Sequence, residues 1–177
     1  MVVIGGGFSG TMVAAQLLRQ AHAARTSLCV HLVERRSEIC QGSAYATRES
    51  VHLLNVPASG MSAWPESPAD FLEWNRQRRP EVGPSDFLPR RLYAEYLQDT
   101  LERVRAEARD WAELVIVHEE AERADMRTNG TWEVRLRSST TPSTADGSGE
   151  RPLERALRSL DRGSVASRCA GRDPAAG

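Results

Sequence analysis

Hydrophobic positions at the start of the chain follow the order strand, helix, strand. Val2–Ile4 is a short β-branched run that ends at Gly5, and the segment 11–24 is rich in helix-forming residues. Residues 28–34 return to the apolar, β-branched character of a strand. A helix that links two strands in this way makes a right-handed crossover, so the two strands are predicted to be parallel neighbours.

Two further helices are predicted between residues 67 and 108. Ser67 offers an N-cap and Pro68 a first-turn proline for the first of them. From Leu92 to Ala108, apolar residues recur at intervals of three and four, which is the pattern of an amphipathic helix. The chain therefore predicts a helical insertion after the second strand.

Two strands and a turn are predicted after this insertion. Residues 114–117 form a compact apolar run, and residues 132–137 alternate between apolar and charged, as in a half-buried strand. Asn129 and Gly130 precede the alternating strand and favour a hairpin turn. Beyond residue 137 the sequence is dominated by Ser, Thr, Pro, Gly, Arg and Ala, so we expect a domain over residues 1–137 and a disordered tail over 138–177.

Composition removes several functional classes. All 23 basic residues are arginine, so no lysine is present to act as a phosphate-binding, Schiff-base or general-base residue. The formal net charge is −1, which gives no basic surface for nucleic acid. No apolar run approaches the roughly 20 residues of a membrane span, and no signal peptide opens the chain. We therefore expect a cytoplasmic protein with no membrane or nucleic-acid partner.

The segment Gly5–Gly10 carries the most specific motif, G-x-G-x-x-G, between a predicted strand and helix. In this position the first glycine permits a tight turn, the second lets the backbone approach a pyrophosphate, and the third lets helix and strand pack closely. These roles fall on Gly5, Gly7 and Gly10. The free N–H groups at the start of the helix then face the anion.

Glu34 ends the second strand, where such folds place an acid on the ribose hydroxyls of a dinucleotide. This carboxylate would repel the 2′-phosphate of NADP, although Arg35 and Arg36 follow it and an arginine can accommodate that phosphate. FAD and NAD are thus favoured. The long insertion after Glu34 favours FAD, because a dehydrogenase usually continues directly with alternating strands and helices.

Four further motifs extend this picture. They are Val33-Glu34-Arg35, Gly42-Ser43-Ala44-Tyr45, the run His52-Leu53-Leu54-Asn55-Val56-Pro57-Ala58 and the run from Pro89 to Tyr96. With the glycine turn, they make residues 2 to about 137 resemble the bacterial FAD/NAD(P)-binding proteins related to flavin-dependent monooxygenases. The resemblance implies an α/β Rossmann-type domain with a parallel sheet, a helical insertion and a β-hairpin.

The same resemblance implies roles for individual residues. The ADP half of FAD would be held by Gly5, Gly7, Ser9, Gly10 and Glu34, with Arg35 beside them. Leu54 and Asn55 would lie towards the flavin, Arg91 near the cofactor and Val117 beside the adenine. NAD(P)H would be the reductant. No catalytic residue and no metal ligand set is predicted.

Two features depart from the family pattern. Cys40 occupies a position where relatives tend to have glycine, in the loop that follows the acid. The strand that closes the flavin domain in relatives is not recognisable after residue 137, which leads to the hypothesis of a truncated or frame-shifted product that lacks a C-terminal region or partner domain. Three functions are therefore considered: the FAD-binding portion of an oxidoreductase, a non-catalytic remnant, and an NAD-binding reductase module.

Overall fold

The computed structural model describes residues 1–137, so the predicted disordered tail lies outside the described residues. Its elements in chain order are β1 (Val2–Ile4), α1 (Phe8–Ala24), β2 (Leu28–Val33), a 3-10 turn (Ala58–Gly60), α2 (Asp70–Arg76), α3 (Arg90–Ala108), β3 (Ala112–Val117), β4 (Glu120–Met126) and β5 (Trp132–Arg137).

The first three strands form a parallel sheet in the order β1-β2-β3. Val3 is level with Leu32, and Leu32 is level with Ile116. β4 and β5 pair separately as an antiparallel hairpin. The predicted α/β architecture, with a parallel sheet, a helical insertion and a hairpin, is confirmed.

One face of the parallel sheet packs against α1 and α3. Val30, Leu32 and Leu114 on this face are buried and join a core that includes Leu18 of α1 and Leu97 of α3. α3 is the longest described helix, at 19 residues, and it buries one side along most of its length. None of the described helices is both long and apolar enough to cross a membrane.

β1 lies at the edge of this sheet, and its face away from α1 and α3 is exposed. Val2 and Ile4, which alternate with the inward-facing Val3, are 46% and 54% exposed. Parallel strands are usually buried on both faces. Within residues 1–137, β1 therefore has one strand neighbour and one covered face.

The helical insertion has a core of its own, built from aromatic rings. Phe71 of α2 makes edge-on contacts with Tyr93 and Tyr96 of α3, at ring-centroid distances of 5.1 Å in both cases. The Tyr96 hydroxyl donates a hydrogen bond to Asp70 at 2.5 Å and accepts one from the Ala63 N–H at 3.1 Å. Tyr96 therefore ties α3 to α2 and to the segment before it.

Two local predictions are wrong. Ser67 is not the N-cap of α2: the helix begins at Asp70, and the Ser67 carbonyl accepts hydrogen bonds from the Asp70 N–H and the Ser62 hydroxyl in a turn before the helix. The half-buried alternation predicted for β5 holds at Val134 and Leu136, which are partly buried, but not at Trp132, which is 65% exposed.

The Tyr96 hydroxyl gives a test of how the insertion is held. The variant Tyr96→Phe leaves the Ala63 N–H without its partner, so we expect the free energy of unfolding to fall by about 1–3 kcal/mol. The matched control is Tyr45→Phe, since the described residues offer the Tyr45 hydroxyl no hydrogen-bond partner, and it should change stability by less than about 0.5 kcal/mol. Equal effects in urea titrations of both variants would contradict this role.

Candidate functional site

The glycine turn places α1 directly on β1. Gly5 has φ of +95°, a backbone conformation that favours glycine, and its N–H donates to the Val33 carbonyl at 2.8 Å. A Cβ atom on Gly10 would lie 1.7 Å from the Gly5 carbonyl oxygen. Helix and strand therefore approach so closely that no side chain fits at residue 10, as the motif predicts.

The first turn of α1 is left open for a ligand. The helix begins at Phe8, immediately after Gly7, with no side-chain cap and no acidic residue in its first turn. Ser9 is exposed in the same turn. The N–H groups at a helix start need partners and carry partial positive charge, so this end of α1 favours an anion.

Gly7 faces a second glycine across the start of the helix. A Cβ on Gly7 would lie 3.4 Å from the Gly42 Cα, and a Cβ on Gly42 would lie 3.2 Å from the Gly7 Cα. Gly42 also has φ of +56°. The loop 35–42, which follows β2, thus folds back over the glycine turn, and the two surfaces meet without side chains between them.

Glu34 joins the glycine turn to this loop. Its carboxylate accepts the Gly6 N–H at 2.7 Å and the Arg36 N–H at 3.0 Å. The Glu34 N–H donates to the Val117 carbonyl at 2.9 Å, which places Val117 next to it at the carboxyl edge of the sheet. Glu34 and Val117 therefore lie together, beside the glycine turn.

The two arginines after Glu34 point to different partners. The Arg35 guanidinium lies 3.7 Å from Glu120, at the start of the hairpin. The Arg36 guanidinium donates a hydrogen bond to the Gly42 carbonyl, and the His118 ring lies 2.9 Å from the Arg36 carbonyl. The sequence singled out Arg35, but Arg36 is the arginine whose side chain bonds across the loop to Gly42, the residue next to Gly7.

Cys40 is part of the same loop and has a backbone conformation that is unusual for cysteine. It is buried, has φ of +69°, and donates its N–H to the Gly6 carbonyl at 2.6 Å. The Thr11 hydroxyl lies 3.6 Å from its sulfur, and burial raises the pKa of the thiol to about 11. The departure from the family pattern thus falls on a left-handed position, where glycine would be unstrained.

The residues expected at the flavin end lie further along the chain and apart from Glu34. Leu54 is buried in the core and its N–H donates to the Leu88 carbonyl, whereas the neighbouring Asn55 is exposed. Arg91 pairs with Glu95 at 3.1 Å on the first turns of α3.

Arg91 also borders a cleft of about 230 Å³ between the loop after β2 and α3. Tyr45, Arg48 and Gln98 contribute to its walls. None of the other predicted cofactor-binding residues lines this cleft.

The geometry at the glycine turn fits the pyrophosphate of a dinucleotide. It combines backbone surfaces without side chains, an uncapped helix start and a carboxylate at the adjacent strand end.

Comparison with protein families supports a dinucleotide-binding site. The chain matches the model of the FAD-NAD(P)-binding family over residues 2–147 and belongs to that family. It is therefore a dinucleotide-binding domain. A comparison with curated protein sequences found no match.

Gly10 and Gly83 provide a matched test of the close helix–strand approach. Gly10→Ala would force a methyl group onto the Gly5 carbonyl oxygen, so we expect a loss of about 3 kcal/mol or more in folding stability. At Gly83 a Cβ would meet Asp86 at 3.5 Å, an ordinary contact. Gly83→Ala should stay within about 1 kcal/mol of wild type. A Gly10→Ala protein with normal thermal unfolding would rule out this packing.

Cys40 and Cys29 test the strain in the loop. A β-branched residue is disfavoured at φ of +69°, so Cys40→Val is expected to lower stability by about 1–3 kcal/mol. Cys29 lies in the extended strand β2, where Cys29→Val suits the backbone and should change stability by less than about 0.5 kcal/mol. Chemical denaturation of both variants measures the difference, and a neutral Cys40→Val would contradict it.

Proposed function

We propose that this chain binds FAD through its ADP half at the glycine turn, as the cofactor-binding portion of an NAD(P)H-linked flavin oxidoreductase or monooxygenase. The observation that carries the proposal is the uncapped start of α1, where Gly7 and Gly42 meet without side chains between them. A diphosphate is a compact anion that can accept several backbone N–H groups there.

Each residue at the turn then has a role. Gly5 and Gly10 set the shape of the turn, and Gly7 and the exposed Ser9 lie where the pyrophosphate would bind. Glu34 would accept the ribose hydroxyls, exchanging or sharing its bonds to the backbone N–H groups of Gly6 and Arg36.

The remaining candidate residues extend the proposal along the cofactor. Val117 would lie beside the adenine, because it is adjacent to Glu34 at the strand edge. Arg35, held near Glu120, would add positive charge at that edge. Asn55 and the backbone of Leu54 would face the flavin, and Arg91 would act on the flavin side of the loop.

The helical insertion favours FAD over NAD. α2 and α3 lie between β2 and β3 in the sequence, and α3 packs against α1 beside the glycine turn. When bound, the flavin would accept hydride from a nicotinamide cofactor and pass electrons to oxygen or a substrate. The chain itself would bind the cofactor, orient it and shield its phosphates.

The carboxylate of Glu34 also sets a preference among dinucleotides. At about 4 Å it would repel a 2′-phosphate by roughly 1 kcal/mol per unit charge in water and about 4 kcal/mol near a protein surface. FAD and NAD should therefore bind more tightly than NADP at this site.

The test measures thermal unfolding with increasing FAD, NAD and NADP, together with the absorbance of any flavin that purifies with the protein. We expect the midpoint of thermal unfolding to rise with FAD concentration, as linkage requires for a ligand of the folded state.

The variant that tests the position of the cofactor is Gly7→Ala. Residue 7 has φ of −75° and an added Cβ would make only an ordinary contact, so the variant should fold normally. Its methyl group would obstruct the phosphates, and we expect FAD affinity to fall at least about tenfold.

The outcomes separate the hypotheses. A larger shift with NAD than with FAD would replace the proposal by an NAD-binding reductase module. No shift with any dinucleotide, and no bound flavin, would overturn it in favour of a non-catalytic remnant. Equal FAD binding by wild type and Gly7→Ala would show that the cofactor binds elsewhere.

A further inference from the structure

We propose that Arg36, rather than Arg35, supplies the cation that binds the cofactor's phosphates. This inference rests on the proposed function and names a residue that deepens it. Sequence order alone favours Arg35, because it directly follows the acid, but the two side chains extend to different places in the fold.

The first argument is position. The Arg36 guanidinium contacts the Gly42 carbonyl, and Gly42 is the residue that lies directly against Gly7. The guanidinium is therefore bonded to the residue that packs against the glycine turn. The Arg36 backbone is also fixed, because its N–H donates to Glu34 and its carbonyl lies 2.9 Å from the His118 ring.

The second argument is charge. Arg35 lies near Glu120 and Arg91 pairs with Glu95. Within the described residues, the Arg36 side chain forms no ion pair with a carboxylate; Glu34 contacts it through the backbone N–H. The first turn of α1 has no acid either. An arginine without a carboxylate partner thus lies beside a helix start that favours an anion.

The third argument is the chemistry of the side chain. A guanidinium has five N–H donors in a planar fork, so it can keep its bond to the Gly42 carbonyl and still donate to phosphate oxygens. Such bonds to an anion are charge-assisted and strong. Arg36 would then hold the loop and the phosphate together, and it would recognise the diphosphate that FAD and NAD share.

The experiment compares ADP with adenosine, which lacks the phosphates, by isothermal titration calorimetry. The proteins are wild type, Arg36→Gln, Arg36→Lys and the matched control Arg123→Gln, whose side chain pairs with Asp125 in the hairpin. We expect Arg36→Gln to weaken ADP binding at least about tenfold, with Arg36→Lys intermediate because it retains the charge without the fork. Arg123→Gln should stay within about twofold of wild type, since its side chain is exposed beside Asp125 and away from the glycine turn. Adenosine affinity should be the same in all four proteins.

Ionic strength adds a second readout. The ADP affinity of wild type should fall more steeply with added salt than that of Arg36→Gln, because screening weakens the contact that the variant lacks. Equal ADP affinity in wild type and Arg36→Gln would overturn the role of Arg36 alone. A parallel loss of ADP and adenosine binding would also overturn it, because Arg36 would then only shape the loop. Failure of wild type to bind ADP or FAD would overturn the proposed function, and with it this assignment.

Discussion

The approach of Gly10 to the Gly5 carbonyl oxygen is the constraint on which the site depends. Because residue 10 has no side chain, α1 can start directly above the end of β1, with its first N–H groups at the carboxyl edge of the sheet. Any larger residue would push the helix away from the strand and move those groups out of position. The loop after β2, the acid Glu34 and the neighbouring strand β3 are all arranged around this fixed point.

The loop 35–42 is shaped mainly by bonds to backbone groups. The Gly6 carbonyl accepts the Cys40 N–H, and the Glu34 carboxylate accepts the N–H groups of Gly6 and Arg36. The Arg36 side chain closes the loop onto Gly42. These bonds within the chain fix the shape of the glycine turn. Fixing a binding surface in this way lowers the entropic cost of binding. It also explains how a strained residue persists at position 40, since the surrounding bonds determine its conformation.

Sequence patterns anticipated the elements whose signals are local. Gly5–Gly10 identified the turn, and the apolar repeats identified α1, α3 and the parallel strands. The hairpin was anticipated from its turn and from the alternation of β5, but no pattern gave the bounds of β4, because Glu120–Met126 is mostly charged and small and becomes a strand through pairing with β5. Ser67 has the chemistry of an N-cap, but a tertiary turn uses its carbonyl instead. Sequence order favoured Arg35, which directly follows the acid, and only the fold of the loop shows that the Arg36 side chain is the one bonded to Gly42.

The helical insertion contributes more to the stability of the described residues than its place between two strands implies. Several of the largest fully buried side chains belong to it, among them Phe71, Tyr96 and Leu101, whereas β1 leaves Val2 and Ile4 exposed. A three-stranded sheet covered on one face buries too little to hold the glycine turn rigid by itself. α3 supplies the missing burial by packing on α1, so the rigidity of the helix start at Phe8 depends on an element about 80 residues later in the chain. The insertion is thus a structural condition for the geometry of the glycine turn.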